Sequence, residues 1–195
     1  MARPRAFDRD QVLDIAIEVF RQKGFDGTST DDLISAMQIG RQSLYATFGD
    51  KRSLYLEALR RYNTNSIVDL LDARREATSP RQTIEAVLFA FAEQAGEPSA
   101  NACLGVNSIC EFGTSDDDVV RINHESGQTL QRFLERNLRD AQSQGEVDKA
   151  LDPKRAAQFI AVTLMGMKVS ARAGADVAAL RNIARMALRS LDRPS

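Results

Sequence analysis

Arg41, Gln42, Ser43, Tyr45, Thr47 and Lys51 lie within the stretch "IGRQSLYATFGDKR". Together they offer a guanidinium, an amide, three hydroxyls and an ammonium. That set suits hydrogen bonding to base edges and phosphates. Arginine matches the O6/N7 edge of guanine, and glutamine matches the N6/N7 edge of adenine. Lys51, together with the hydroxyls of Tyr45 and Thr47, suits phosphate oxygens. Ala46 among them is small enough to allow close approach and to touch a thymine methyl.

These groups need a rigid element to hold them. Leu44 and Phe48 are four residues apart, so on a helix they share one face and must pack inward. Gln42 and Ala46 then face directly away, with Ser43, Tyr45 and Thr47 on the shoulders and Arg41 in the first turn. Gly40 opens this two-turn helix and Gly49 closes it. Upstream, "DRDQVLDIAIEVFRQKGF" places Val12, Leu13, Ile15, Ala16, Val19 and Phe20 at helical spacing, with Gly24 as a stop. Ser29 and Asp32 form a capping-box pattern ahead of "DDLISAM", whose Leu33, Ile34 and Met37 point inward. Two short helices joined by a tight turn at "QIG" predict a helix-turn-helix, whose second helix either enters the major groove of DNA or carries an ordinary solvated polar face; spacing alone leaves both open. Asp50 and Lys51 then open a long helix, "KRSLYLEALRRYNTNSIVDLLDA". Arg3 and Arg5, flanking Pro4, are placed to form an arm along the DNA backbone or minor groove.

Bulk composition neither supports nor opposes a nucleic-acid partner. The 195-residue chain has a net charge of −1, and residues 1–61 hold ten Lys/Arg against nine Asp/Glu. Basic groups must therefore act by local placement. A hydrophobic content of 43% is ample for a core, and 27% charged residues argue against disorder. With no apolar run at the N-terminus, no membrane-length segment and two cysteines, the expected setting is the cytoplasm, away from any membrane.

The remainder predicts further helices and no strands, so the expected fold class is all-α. Two domains are expected: a helix-turn-helix domain over residues 1–55, and a ligand-binding and dimerisation domain over 56–195. In "TSPRQTIEAVLFAFAEQAG", Ile84, Val87, Leu88 and Phe91 form one stripe. "CLGVNSICEFG" is a short apolar helix. A long helix follows, with Val120, Leu130, Phe133, Leu134 and Leu138 expected inward. From Phe159 to Val169 apolar residues occupy nearly every face, and Gly166, Ser170 and Gly174 recur every fourth residue. In the last helix Val177, Leu180, Ala184, Ala187 and Leu191 follow a seam-like spacing. These features predict a four-helix interface between two copies, with Phe159, Thr163, Gly166, Ser170, Gly174, Leu180, Ala184, Ala187 and Leu191 at the contact. A dimer would present two reading helices to a palindromic site with half-sites about 34–36 Å apart.

Candidate small-molecule contacts in the middle helices are Phe89, Phe91, Cys103, Leu104, Asn107, Ile109, Phe112, His124, Phe133 and Met167. His124 is the only histidine, and no tight Cys/His/carboxylate cluster accompanies it, so neither a metal site nor a cofactor is expected. No Ser/His/Asp arrangement, phosphate loop or dinucleotide fingerprint supports an enzyme. A helical enzyme, or an adaptor without DNA binding, is the competing class. Cys103 and Cys110, seven residues apart, would be separated by about 10 Å along one helix, beyond a disulfide. Cys103 falls at a helix start, where the dipole favours a thiolate; Cys110 is expected to be buried.

The run "TSTDDLISAMQIGRQSLYATFGDKRSLYLEAL" resembles the DNA-binding half of the TetR family of bacterial transcription regulators. Its "F…KGF.GTS…DL" approach, "LY..F..K..L" signature and long connecting helix carry the likeness, from residue 8 to about 60. The resemblance implies DNA contact by Ser29, Thr30, Gly40, Arg41, Gln42, Ser43, Tyr45, Thr47 and Lys51, and a dimer formed through the last two helices. It further implies a repressor released from its operator by a small-molecule inducer. One departure is Asp31, where some members place a basic, base-reading residue; its charge should repel phosphate. "ACLGVNSICEFG" also resembles a "GCL…N…E" segment in a branch that includes regulators sensing electrophiles or oxidants through that cysteine. Ala102 stands here for the glycine.

Overall fold

Residues 7–96 and 103–192 are described in a computed structural model of the chain, and all their regular elements are helical. The helices are α1 (Arg9–Lys23), α2 (Thr30–Met37), α3 (Arg41–Phe48), α4 (Lys51–Asp72), α5 (Pro80–Gly96), α6 (Leu104–Phe112), α7 (Asp117–Ser143), α8 (Pro153–Arg172) and α9 (Val177–Arg189). A 3₁₀ turn, Ala73–Glu76, follows α4. The all-α fold class is as expected.

Local chemistry sets the helix ends. Asp8 caps α1, its carboxylate accepting from the backbone N–H groups of Asp10 and Gln11. Gly24 ends α1 at φ 72°, a conformation that favours glycine. Ser29 and Asp32 form the reciprocal capping box of α2. Asp50 accepts from Ser53 N–H at the start of α4, and Asp152 caps α8 ahead of Pro153.

The chain divides into two compact units. The first contains the chain up to Thr64, α6 and the opening of α7 to Asn123; the second contains Asn65 through α5, and His124 onward. This differs from the expected boundary at residue 55, because α6 packs on α1 and Leu104, Val119 and Ile122 join the core of the first unit. That core is built around Leu13, Phe20, Leu33, Leu44, Leu54, Tyr55 and Leu59. Tyr55 lies 5.0 Å from Phe20 in an edge-on arrangement, 5.0 Å from Phe25 and 5.5 Å from Phe112, measured between ring centroids.

In the second unit, α5 packs on α9 and α8. Ile84, Val87, Leu88 and Phe91 are buried as one stripe, joined by Leu134 and Leu138 of α7 and by Ile160, Leu164 and Met167 of α8. Three expectations are corrected. Val120 is exposed, and the buried positions at the start of α7 are Val119 and Ile122; with Asp117 as the first helical residue, the inward phase falls one residue earlier. Leu180, Ala184, Ala187 and Leu191 are 0–2% exposed within this unit's own core, so they form its intramolecular seam rather than a contact with a second copy. Cys110 is exposed, because α6 buries Leu104, Asn107 and Ser108 and turns Ile109 and Cys110 outward.

Candidate nucleic-acid interface

Packing of α3 settles which of its residues face outward. Leu44 and Phe48 are buried, while Arg41, Gln42, Tyr45 and Ala46 are exposed and Ser43 and Thr47 half-buried. The helix has two turns and its inner stripe is fully used, so its polar residues have nowhere to go but outward. Gly40 is the N-cap, with φ −74° and no side-chain cap. That φ suits any residue, and a Cβ there would meet nothing within 4 Å. Nothing among the described residues requires this glycine. A bare, uncapped helix start is what a phosphate or a base edge needs for close approach.

Two of the expected contact residues are committed internally. The Ser29 hydroxyl donates to Asp32 Oδ2 at 2.7 Å while accepting from Asp32 N–H at 3.0 Å. It holds α2 together rather than standing as a free donor for phosphate. Lys51 does not point outward as expected: its ammonium donates to the carbonyls of Phe25 at 3.0 Å and Thr28 at 2.9 Å. It also lies 4.1 Å from the centroid of the Phe25 ring. These are turn carbonyls beyond the end of α1; that of Phe25 also accepts from the Thr28 N–H at 3.2 Å, and the nearby cation adds a second partner. Lys51 therefore fixes the turn against the start of α4, with two of its three donors used. Thr30 is half-buried in the first turn of α2. Arg3 and Arg5 lie outside the described residues.

Arg41 is paired. Its Nη2 lies 2.5 Å from Asp31 Oδ1, with both side chains more than half exposed. Neighbouring Asp32 is bound differently: the Lys23 ammonium, then Ser29, hold its carboxyl far below the ordinary carboxylate range.

Behind the helices the α1–α2 turn is braced by α6. Glu111 accepts from the N–H groups of Phe25 at 3.0 Å and Asp26 at 3.4 Å. Its Oε1 lies 2.3 Å from where a Cβ on Gly24 would stand, so a side chain there would displace the Glu111 carboxylate, besides straining a backbone held at φ 72°. Asn107 Nδ2 donates to the carbonyl of Arg21 at 3.0 Å. Arg52 forks onto Asp116 and Asp118, which raises the arginine and lowers the Asp118 carboxyl; at Asp116 burial opposes ionisation, and the backbone N–H of Val119 together with Arg52 turns the balance so that its carboxyl too lies below the ordinary value. Burial, followed by the charges of Glu111 and Asp116, pushes the Tyr55 phenol well above its ordinary value. None of this bracing was legible in the sequence, which gives no sign that residues 86 positions apart (Phe25 and Glu111) meet.

The expected small-molecule contacts divide between the units. Cys103, Leu104, Asn107 and Phe112 belong to the first, with Cys103 and Leu104 buried and Tyr62 Oη donating to Cys103 Sγ at 3.4 Å. Phe89, Phe91, Phe133 and Met167 pack in or against the core of the second. His124 is exposed, beside Gln128 at 3.3 Å; it and Ile109 face solvent and are corrected as cavity residues, since neither lies on the inner stripe of its helix. Among the described residues no His/Cys/Asp/Glu group could hold a metal ion. No described helix is long and apolar enough to cross a membrane.

On α8, Phe159 (50% exposed), Val162 (63%), Met165 (51%) and Val169 (51%) form an exposed apolar row, with Gly166 exposed between them. Thr163 and Ser170 are half-buried on its flank, and Gly174 is exposed beyond the end of the helix.

Residues 12–58 match the model for bacterial regulatory proteins of the tetR family, and residues 80–187 match the tetracyclin repressor-like C-terminal domain. The chain is 30% identical to the uncharacterised HTH-type transcriptional regulator YezE of Bacillus subtilis, over 98% of this chain and 100% of YezE. It is also 30% identical to the HTH-type transcriptional repressor ComR of Escherichia coli, over 96% of this chain and 90% of ComR. Among solved structures, a cysteine mutant of the TetR family regulator CifR complexed with a 26-base-pair operator duplex superposes with a TM-score of 0.79 at 28% identity, covering 96% of this chain and 99% of CifR. With two short helices presenting a bare polar surface, and both domain models matched along one chain, the protein belongs to the TetR family of DNA-binding transcriptional regulators.

Proposed function

We propose that the protein is a homodimeric repressor that reads a palindromic operator through Arg41 and Gln42 and releases it when a small molecule binds within residues 56–195. The observation that carries the reading is the division of α3. Leu44 and Phe48 are taken up by the core, leaving Arg41, Gln42, Tyr45 and Ala46 to face outward behind an uncapped start at Gly40. Ser43 and Thr47, half-buried on the shoulders, suit phosphate contacts, as do Thr30 and the one remaining donor of Lys51. Arg3 and Arg5 supply the arm. The protein works in the cytoplasm, where its DNA is, and it is a regulator rather than an enzyme.

Dimerisation is supported by the exposed row Phe159, Val162, Met165 and Val169, an apolar strip of the kind that marks a protein interface. Gly166, together with Thr163, Ser170 and Gly174, keeps part of that face low enough for a second helix to come close. Phe89, Phe91, Phe133 and Met167, gathered about one apolar core, favour a largely apolar inducer. A ligand that stabilises a dimer with mis-spaced reading heads releases DNA through its differential affinity for the two states.

Arg41→Ala tests the reading head. A selection from randomised duplexes by the wild-type protein supplies the operator, and fluorescence anisotropy compares it with single-base variants. Loss of one bidentate contact to guanine removes about 1–3 kcal/mol of discrimination, so the variant should bind the affected base pairs almost indifferently. Undiminished preference in Arg41→Ala would show that another element reads the sequence.

A second reading rests on Cys103, the N-cap of α6, whose sulfur accepts from Tyr62. Oxidation there would alter the start of the helix that braces the reading head. Cys103→Ser should keep operator affinity and lose release by hydrogen peroxide in a mobility-shift assay. Release equal to wild type would end this reading.

A further inference from the structure

Resting on α3 as the base-reading helix, we propose that Asp31 is a specificity-determining positioning residue: it holds the Arg41 guanidinium toward a guanine edge and keeps it off phosphate. The pair joins the first turn of α2 to the first residue of α3, at 2.5 Å, with side-chain exposures of 81% for Asp31 and 56% for Arg41. An ion pair so exposed contributes little to folding. Nor is Asp31 needed as a cap, because Ser29 and Asp32 already complete the capping box and Lys23 pairs with Asp32. A carboxylate whose only other role is the modest charge–dipole contribution of an acid in the first turn of α2 therefore stands beside the leading base-reading cation.

Its chemistry suits selectivity better than affinity. A guanidinium carries five N–H donors in a fixed plane. One is given to Asp31, and the four left include an edge that matches guanine O6 and N7. A long, free arginine would settle on any phosphate, since that attraction is independent of sequence. The fixed negative charge of Asp31 opposes phosphate oxygens and restrains the rotamers of Arg41, so non-specific binding loses more than specific binding does. The acid at this position thus serves as a filter in the reading head.

The test uses the full-length dimer, the duplex selected by the wild type, its single-base variants and a random-sequence duplex, with affinities measured across a salt series. Asp31→Ala is expected to bind the random duplex more tightly, with a salt slope steeper by about one as Arg41 gains a phosphate. Discrimination at the base pair read by Arg41 should fall from roughly 10–100-fold to a few-fold, at unchanged melting temperature. Asp31→Asn, which keeps an acceptor without the charge, should fall between the two. In the Arg41→Ala background, Asp31→Ala should cause no further loss of discrimination. The proposal is overturned if both Asp31 variants discriminate as the wild type does while Arg41→Ala does not. It also fails if Asp31→Ala lowers the melting temperature and weakens all duplexes alike. Wild-type discrimination by Arg41→Ala would instead remove the reading of α3 on which the proposal stands.

Discussion

In the proposed dimer, Val162→Glu is expected to leave the subunit folded and to separate the two copies. Val162 is 63% exposed on α8, between Phe159 and Met165, each about half exposed. Its side chain contributes little to the subunit's own core, so helical content and melting should remain near wild type. Across a two-fold interface the substitution acts twice, placing two like charges in an apolar contact with no partners. One unpaired charge buried at an interface costs about 2–5 kcal/mol, which alone corresponds to a loss of dimer affinity by a factor of roughly 30 to several thousand, and the second charge adds to it. Sedimentation should show single subunits at micromolar concentration. Operator binding should fall with it, because each half-site then holds one short reading helix without its tethered twin. A dimer that persists in Val162→Glu would place the interface elsewhere. Leu180→Glu makes the instructive contrast. At 0% exposure in the core of the second unit, that charge should unfold the unit itself.

Phe20→Ala is expected to strike the reading head from behind. Phe20 is fully buried and meets Tyr55 edge-on, the two rings standing at 86°. Removing the ring opens a cavity beneath α1 and takes away one wall of the aromatic cluster that also contains Phe25 and Phe112. Phe→Ala changes in cores cost about 3–5 kcal/mol, a large share of a typical stability of about 5–15 kcal/mol. Urea unfolding followed by circular dichroism should show the loss as a lower midpoint. The folded fraction should recover on addition of operator DNA, since a ligand that binds only the folded form restores stability by mass action. A loss under about 1 kcal/mol would mean that this cluster is loosely packed and does not hold α3 in place.

Residue order alone determined much of the reading head. Leu44 and Phe48 are four apart in a two-turn helix bounded by glycines, and such a helix has only one way to bury both. Its polar residues are outward by subtraction, without knowledge of any neighbour. The caps were equally legible: Ser29 with Asp32, Asp50, and Gly24 act on groups a few residues away, so short-range spacing suffices.

Only tertiary structure decided where two faces compete or distant groups meet. Apolar residues surround α8, and sequence period could not say which were covered within the subunit. Packing against α5 and α9 leaves Phe159, Val162, Met165 and Val169 outside, while Leu180, Ala184, Ala187 and Leu191, expected at a dimer seam, turned into the subunit. Lys51 turned to the α1–α2 turn carbonyls of Phe25 and Thr28 instead of solvent, and Arg41 found Asp31. Glu111 came to support a turn 85 and 86 positions away. Periodicity is a property of one helix and its own backbone. Burial and charge pairing depend on every surface brought against it, and those surfaces exist only once the chain has folded.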